Sequence, residues 1–146
     1  MATIFSLSNF LTIPFWLLMI FAPHWRWTKR IIGSLWIVVP PALLYAVLIL
    51  PQLSSVLAAL ANPMLSAIAA LLGTPTGATL GWVHFLAFDL FVGRWAYLDS
   101  RQRNLSAWLV SPALFCIFMV GPLGLLLYLA VCFISEQIRK PAKVEG

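Results

Sequence analysis

The stretch IIGSLWIVVPPALLYAVLIL, residues 31–50, contains no Asp, Glu, Lys or Arg. A helix needs about 20 predominantly apolar residues to cross the roughly 30 Å hydrocarbon layer of a bilayer. This segment meets that length without a single charge. Its surroundings read the same way. No charged residue precedes Arg26, none lies between Arg30 and Asp89, and none lies between Arg103 and Glu136. Of the 146 residues, 62% are hydrophobic and only 9% are charged, whereas a soluble domain carries about 25% charged residues. Apolar runs this long have no soluble core to occupy in so short a chain.

The runs are continuous rather than alternating, which excludes a β-barrel, whose strands alternate over about 10 residues. The fold class is therefore all-α: a polytopic membrane helix bundle forming a single integral membrane domain over residues 1–146, with the lipid bilayer as its first partner. Spans are expected at about 4–22, 31–50, 80–98 and 108–135. Pro14 is placed to kink the first, Pro40-Pro41 the second, and Gly121-Pro122 the last. Residues 53–73 carry apolar positions at helical spacing opposite Ser54, Ser55, Asn62 and Ser66. They read as one or two amphipathic helices at the interface, a re-entrant piece, or a weak fifth span. Gly77 and Gly81 form a single GxxxG, either a close helix contact or a flexible entry to the next helix.

The net charge of +5 comes from interhelical positions and reports membrane orientation and attraction to anionic lipid rather than nucleic-acid binding. Segment 24–30, HWRWTKR, mixes three basic residues with two tryptophans, as at a membrane–water interface. With four spans, the loops at 24–30 and 99–104 share the cytoplasmic side and the connection at 51–79 lies opposite. The tail EQIRKPAKVEG is expected to fray, and its basic residues would then fall on the unfavoured side. Cys116 and Cys132, sixteen helical residues apart, would lie about 24 Å from each other, too far for a disulfide. No basic leader precedes the first apolar run, which suggests a bacterial start rather than an organelle-targeted precursor.

The third span carries three ionisable groups in HFLAFDLFVGRW, residues 84–95. At 100° and 1.5 Å per residue, His84 and Asp89 point about 140° apart, as do Asp89 and Arg94, so no two of them form an i, i+4 pair. Asp89 falls mid-span, where a carboxylate costs about 2.5–3.5 kcal/mol on insertion scales. It needs a partner or a cavity. His84 is either a hydrogen-bonded structural histidine or a proton-transfer group. Arg94 is close enough to the helix end to snorkel to the interface. Asp99 is placed to cap the helix or pair with nearby arginines. Two histidines and four acidic residues are too few for a di-iron site, and no zinc-ligand spacing occurs, so no metal is expected. Neither GxGxxG nor a P-loop is present, and no cofactor is expected. What remains is cofactor-free acid–base chemistry on a lipid-soluble substrate, or binding without chemistry.

The segment from Trp82 to Leu129, with HxxxxDLFxxR at His84, Asp89 and Arg94 and GPxGLLLY at Gly121 to Tyr128, resembles the ABA-deficient-4-like membrane proteins of plants and cyanobacteria. The resemblance covers the last half of the chain; the first half agrees in span layout. It implies a cyanobacterial member and a carotenoid substrate class, since plant members are implicated in forming neoxanthin from violaxanthin. That reaction opens a ring epoxide to an allene with a tertiary alcohol, an isomerisation needing an acid and a base but no electron carrier.

The resemblance thus implies an epoxy-carotenoid (xanthophyll) isomerase or a carotenoid-binding protein of a thylakoid or plasma membrane. His84 and Asp89 are then candidate catalytic residues, and Trp82, Phe85, Phe88 and Arg94 candidate substrate contacts. A carotenoid or chlorophyll is the expected ligand. The competing reading is a non-catalytic accessory or assembly subunit of a larger photosynthetic membrane complex, or a homo-oligomer. In that case Asp89 and Arg94 would be docking groups.

Overall fold

The computed structural model describes residues 1–139, and every regular element among them is helical. Among the described residues four helices are long and apolar enough to cross a membrane: Ala2–Phe21, Leu35–Ala61, Pro75–Gln102 and Pro122–Arg139. The chain divides into two compact units: Met1–Pro14 with Leu35–Leu90, and Phe15–Ser34 with the chain from Phe91 onward.

The first span is α1 (Ala2–Phe10) followed by α2 (Ile13–Phe21). Pro14 lacks the N–H that would continue α1, so the chain tightens at Leu11 and Thr12. Their amides donate to the Ser8 and Asn9 carbonyls at 3.2 and 3.1 Å. The polar residues of this run serve the break. Ser8 Oγ donates to the Phe5 carbonyl at 2.7 Å and Thr12 Oγ1 to the Asn9 carbonyl at 3.3 Å.

The interfacial segment forms α3 (Arg26–Gly33), so the second span starts later than position 31. A 3₁₀ turn at Leu35–Val38 leads into α4 (Val39–Ile49), and a second turn at Leu50–Gln52 leads into α5 (Leu53–Ala61). Pro40 and Pro41 were expected to kink mid-helix. They occupy the first turn of α4 instead, where the missing donors have no intrahelical partner to lose. The stretch 53–73 is divided at Asn62-Pro63: α5 prolongs the second span, and α6 (Leu65–Leu72) is a separate short helix.

The long helix α7 (Pro75–Gln102) follows. Thr74 caps it by accepting the Gly77 amide at 3.0 Å, with Pro75 at the first helical position. Gly77 is hemmed in by the Leu71 carbonyl, 1.9 Å from where a Cβ would stand, whereas Gly81 meets only the Leu72 side chain at 3.4 Å.

Over 108–135 the structure departs most from the sequence expectation. A single kinked span was expected there; α8 (Ala107–Val120) and α9 (Pro122–Arg139) form a hairpin instead. Gly121 turns the chain with φ 46° and ψ −101°, a conformation that excludes a side chain. A Cβ on Gly124 would lie 2.0 Å from the Ile117 amide nitrogen, so α9 runs back in backbone contact with α8. The end of α9 returns to the start of α8: Arg139 donates to the Arg103 and Asn104 carbonyls at 2.6 and 2.9 Å. Cys116 and Cys132 are free, but on two antiparallel helices rather than along one. The tail beyond Arg139 lies outside the described residues.

The second unit is built around Trp16, 2% exposed. Its indole lies on Gly93 of α7, where an added Cβ would come within 2.2 Å of the ring, and it packs on the Phe118 ring, centroids 5.3 Å apart. Buried Tyr97 donates to the Pro23 carbonyl at 2.8 Å, and Ser111 to the Ile20 carbonyl at 2.9 Å. These bonds and those of Arg139 bring the ends of α2, α7 and α9 and the start of α8 together in one unit. Every described Lys and Arg belongs to that unit: Arg26, Lys29, Arg30, Arg94, Arg101, Arg103 and Arg139.

Two predictions follow from this packing. Single cysteines at Trp27, Gln102 and Arg139, all in the second unit, label from one and the same face of intact membranes; labelling of Arg139→Cys from the face opposite Gln102→Cys would rule out the hairpin. Gly93→Ala costs about 1–3 kcal/mol by overpacking, read as a lowered thermal midpoint in detergent, and a smaller ring in Trp16→Phe recovers part of the loss.

Candidate functional site

The inward stripe of α7 is apolar or small: Val83, Leu86, Ala87, Leu90, Gly93, Ala96 and Tyr97 are buried, at the i, i+3, i+4, i+7 spacing of one helix face. The ionisable groups of the same helix flank that stripe. His84 is half-buried. Its ring stacks on Phe88 with centroids 4.7 Å apart and an interplanar angle of 27°, meets Phe85 edge-on at 6.1 Å, and stands 5.4 Å from the Tyr45 ring. On its inner side His84 lines a cavity of about 230 Å³ within the first unit. Val56, Leu60 and Leu80 form apolar walls there, and Tyr45 and Gln52 supply the other polar groups. Among the described residues His84 makes ring contacts but no hydrogen bond, so both ring nitrogens are left for a ligand or a proton.

Asp89 does not line this cavity. The 140° offset read from the sequence persists because α7 is regular, and it sets His84 and Asp89 on different flanks of the helix. Asp89 is half-buried and, among the described residues, makes neither a hydrogen bond nor an ion pair. A carboxylate left unpartnered near the middle of a 28-residue span is costly enough to call for a ligand or a proton.

The remaining sequence-predicted positions are spread around the helix. Trp82 donates its indole N–H to Asn9 Oδ1 at 3.0 Å and packs on Phe5, centroids 5.3 Å apart. Phe85 and Phe88 are 59% and 60% exposed; they cover the outer side of His84 and are not part of the cavity wall. Arg94 is taken up by backbone: Nη2 donates to the Gly33 carbonyl at 2.6 Å and Nε to the Ser34 carbonyl at 3.2 Å. It serves the last carbonyls of α3, which have no intrahelical donor.

A second polar group, in the other unit, brings together residues that spacing alone did not connect. Tyr128, fully buried, donates to Asp99 Oδ2 at 2.6 Å, and the same oxygen accepts Arg103 Nε at 2.7 Å. Arg103 also pairs with Glu136. Asp99 and then Glu136 raise the Arg103 guanidinium above its ordinary pKa. Trp95 meets Tyr128 edge-on at 5.7 Å. The Asp99–Arg103 pair was legible as an i, i+4 spacing. Its link to Tyr128 depends on the hairpin. Tyr45 and Gln52 were also missed, because nothing in an apolar run marks which residues will meet a histidine far along the chain. No group of three or more His, Cys, Asp or Glu suited to a metal occurs among the described residues.

Tyr128→Phe removes a hydrogen bond to a charged acceptor, worth about 1.5–3 kcal/mol. The thermal midpoint in detergent should fall accordingly, and an unchanged midpoint would show that the Asp99 contact contributes nothing to the hairpin.

A family model described as ABA4-like, ABA DEFICIENT 4-like, matches residues 3–128. The match thus extends through the first half of the chain as well as the motif-bearing second half. No curated protein and no solved structure matches.

Proposed function

From the ABA-deficient-4-like family, to which the chain belongs, we propose that this membrane protein binds and modifies a carotenoid. The single observation that carries the reading is the family match over residues 3–128. The His84 cavity supports it. Aliphatic walls with a few polar groups suit the end ring of a polyene that carries one oxygen function. The reaction that fits such a site is the isomerisation of a ring epoxide to an allenic alcohol. A proton reaches the epoxide oxygen as the C–O bond opens, a vinylic proton departs, and the electron count is unchanged. His84 makes no competing hydrogen bond and is the imidazole on the cavity wall that could carry a proton to or from a substrate; Tyr45, whose ring stands 5.4 Å from the His84 ring, offers a companion hydroxyl on the same wall. Asp89, on the other flank, is assigned to the polyene's path or to proton delivery rather than to the same pocket. A thylakoid or plasma membrane of a photosynthetic cell is the proposed location.

Expression in a host that accumulates epoxy-carotenoids, with pigment profiling beside membrane protein yield, tests this reading. The wild-type protein shifts the pigment profile. His84→Phe and Asp89→Asn lower conversion about a hundredfold or more, the scale of general acid–base catalysis, at unchanged yield. Full activity of His84→Phe would remove the proton-transfer role. An unchanged profile with no carotenoid co-purifying would sink the proposal, and migration within a large assembly on native electrophoresis would then favour the accessory-subunit reading.

A further inference from the structure

An apolar groove lies in the second unit, on residues other than those around His84. It has a volume of about 600 Å³ and is lined by Ile20, Phe21, Trp108, Pro112 and Phe115, with His24 at its wall. Residues 20–21 end the first span and residues 107–108 begin α8. The groove therefore opens where apolar helix gives way to the polar connections, at the level of a membrane interface. Phe21 and Trp108 are 76% and 87% exposed. His24, on its wall, lies two residues before α3, whose Arg26, Lys29 and Arg30 are all exposed. Among the described residues none of these three cations has an ion pair; Arg26 and Arg30 only bracket the Trp27 ring, 5.6 and 5.8 Å from its centroid.

An apolar trough whose wall runs on in the chain into a helix with three exposed, unpaired cations matches one kind of molecule in its surroundings: an amphiphile with an acyl chain and an anionic head. A neutral polyene would use the trough and leave the cations unmatched. We propose that this groove is a binding site for an anionic phospholipid. One acyl chain lies along Ile20, Phe21 and the Trp108–Phe115 face of α8, and the headgroup phosphate meets the basic face of α3. A lysine or arginine beside an anionic surface contributes about 1 kcal/mol, about fivefold in affinity per cation. The apolar trough gives one molecule a fixed seat that general attraction to the leaflet does not.

The test uses the full chain purified in detergent, with phosphatidylglycerol and phosphatidylcholine of matched acyl chains added in competition and retained lipid counted by native mass spectrometry. The wild-type protein keeps one phosphatidylglycerol at least tenfold in preference to phosphatidylcholine. The triple variant Arg26→Gln, Lys29→Gln, Arg30→Gln brings the two lipids to within about twofold. Ala107→Phe, which fills the trough, lowers retention of both lipids about tenfold while the helical circular dichroism is unchanged. Equal retention of the two lipids by the wild type would overturn the proposal. So would undiminished phosphatidylglycerol retention by the triple variant, or a carotenoid displacing the lipid from this groove. If the triple variant fails to accumulate, the single change Arg26→Gln is read instead, with a fivefold loss of preference expected and no loss contradicting the assignment. None of these outcomes depends on pigment conversion.

Discussion

The hydrocarbon interior of a bilayer offers no hydrogen-bond partner, so every carbonyl and amide released where a helix breaks must be satisfied by the protein itself. This chain breaks its helices repeatedly, at Leu11–Thr12, at Ser34, at Asn62-Pro63 and at Gly121. Its scarce polar side chains are placed accordingly. Ser8 and Thr12 serve carbonyls just before the first break. Thr74 caps α7. Arg94, Tyr97 and Ser111 each reach across to a carbonyl of another element, those of Gly33 and Ser34, Pro23 and Ile20 respectively. Most of the polarity that looks anomalous in an apolar chain thus completes broken backbone.

Close packing in the second unit rests on the same economy. Without a hydrophobic driving force between helices in lipid, contact area and small residues hold them together. Gly93 admits the Trp16 indole, Gly121 permits the reversal, and Gly124 lets α9 lie against the α8 backbone. The return of α9 then brings Tyr128 onto Asp99 and Arg139 onto the carbonyls of Arg103 and Asn104. The motif GPLGLLLY, residues 121–128, is accounted for at both ends by this geometry: a turn and a close approach at its glycines, a buried hydroxyl donor at its tyrosine.

With these roles assigned, few groups are left for chemistry. His84, free of hydrogen bonds on the wall of an apolar cavity, and Asp89, unpartnered in mid-span, are two ionisable groups of the first unit that make no structural hydrogen bond. Their separation around α7 argues against a single shared pocket. The proton-transfer reading rests on His84 with Tyr45, a pairing between residues 39 positions apart in a chain whose intervening segment contains several turns.

The sequence by itself determined the class of the molecule. Uncharged runs as long as a bilayer is thick leave a helical membrane protein as the only outcome, and the prolines marked where helices would be interrupted. It also determined that His84 and Asp89 could not face the same way, because helical phase depends only on residue number. Tertiary structure alone decided what each interruption became. A proline or glycine signals that a helix cannot continue unchanged, but whether the chain then kinks, restarts or reverses depends on what packs against it. Pro40-Pro41 therefore begin a helix rather than bend one, and Gly121-Pro122 reverse the chain rather than kink a span. The reversal in turn brings Arg139 back to the carbonyls of Arg103 and Asn104. Local sequence carries the conformational limits of each residue, whereas the partner that satisfies a freed carbonyl lies far away in the chain, as Arg94 does from Gly33.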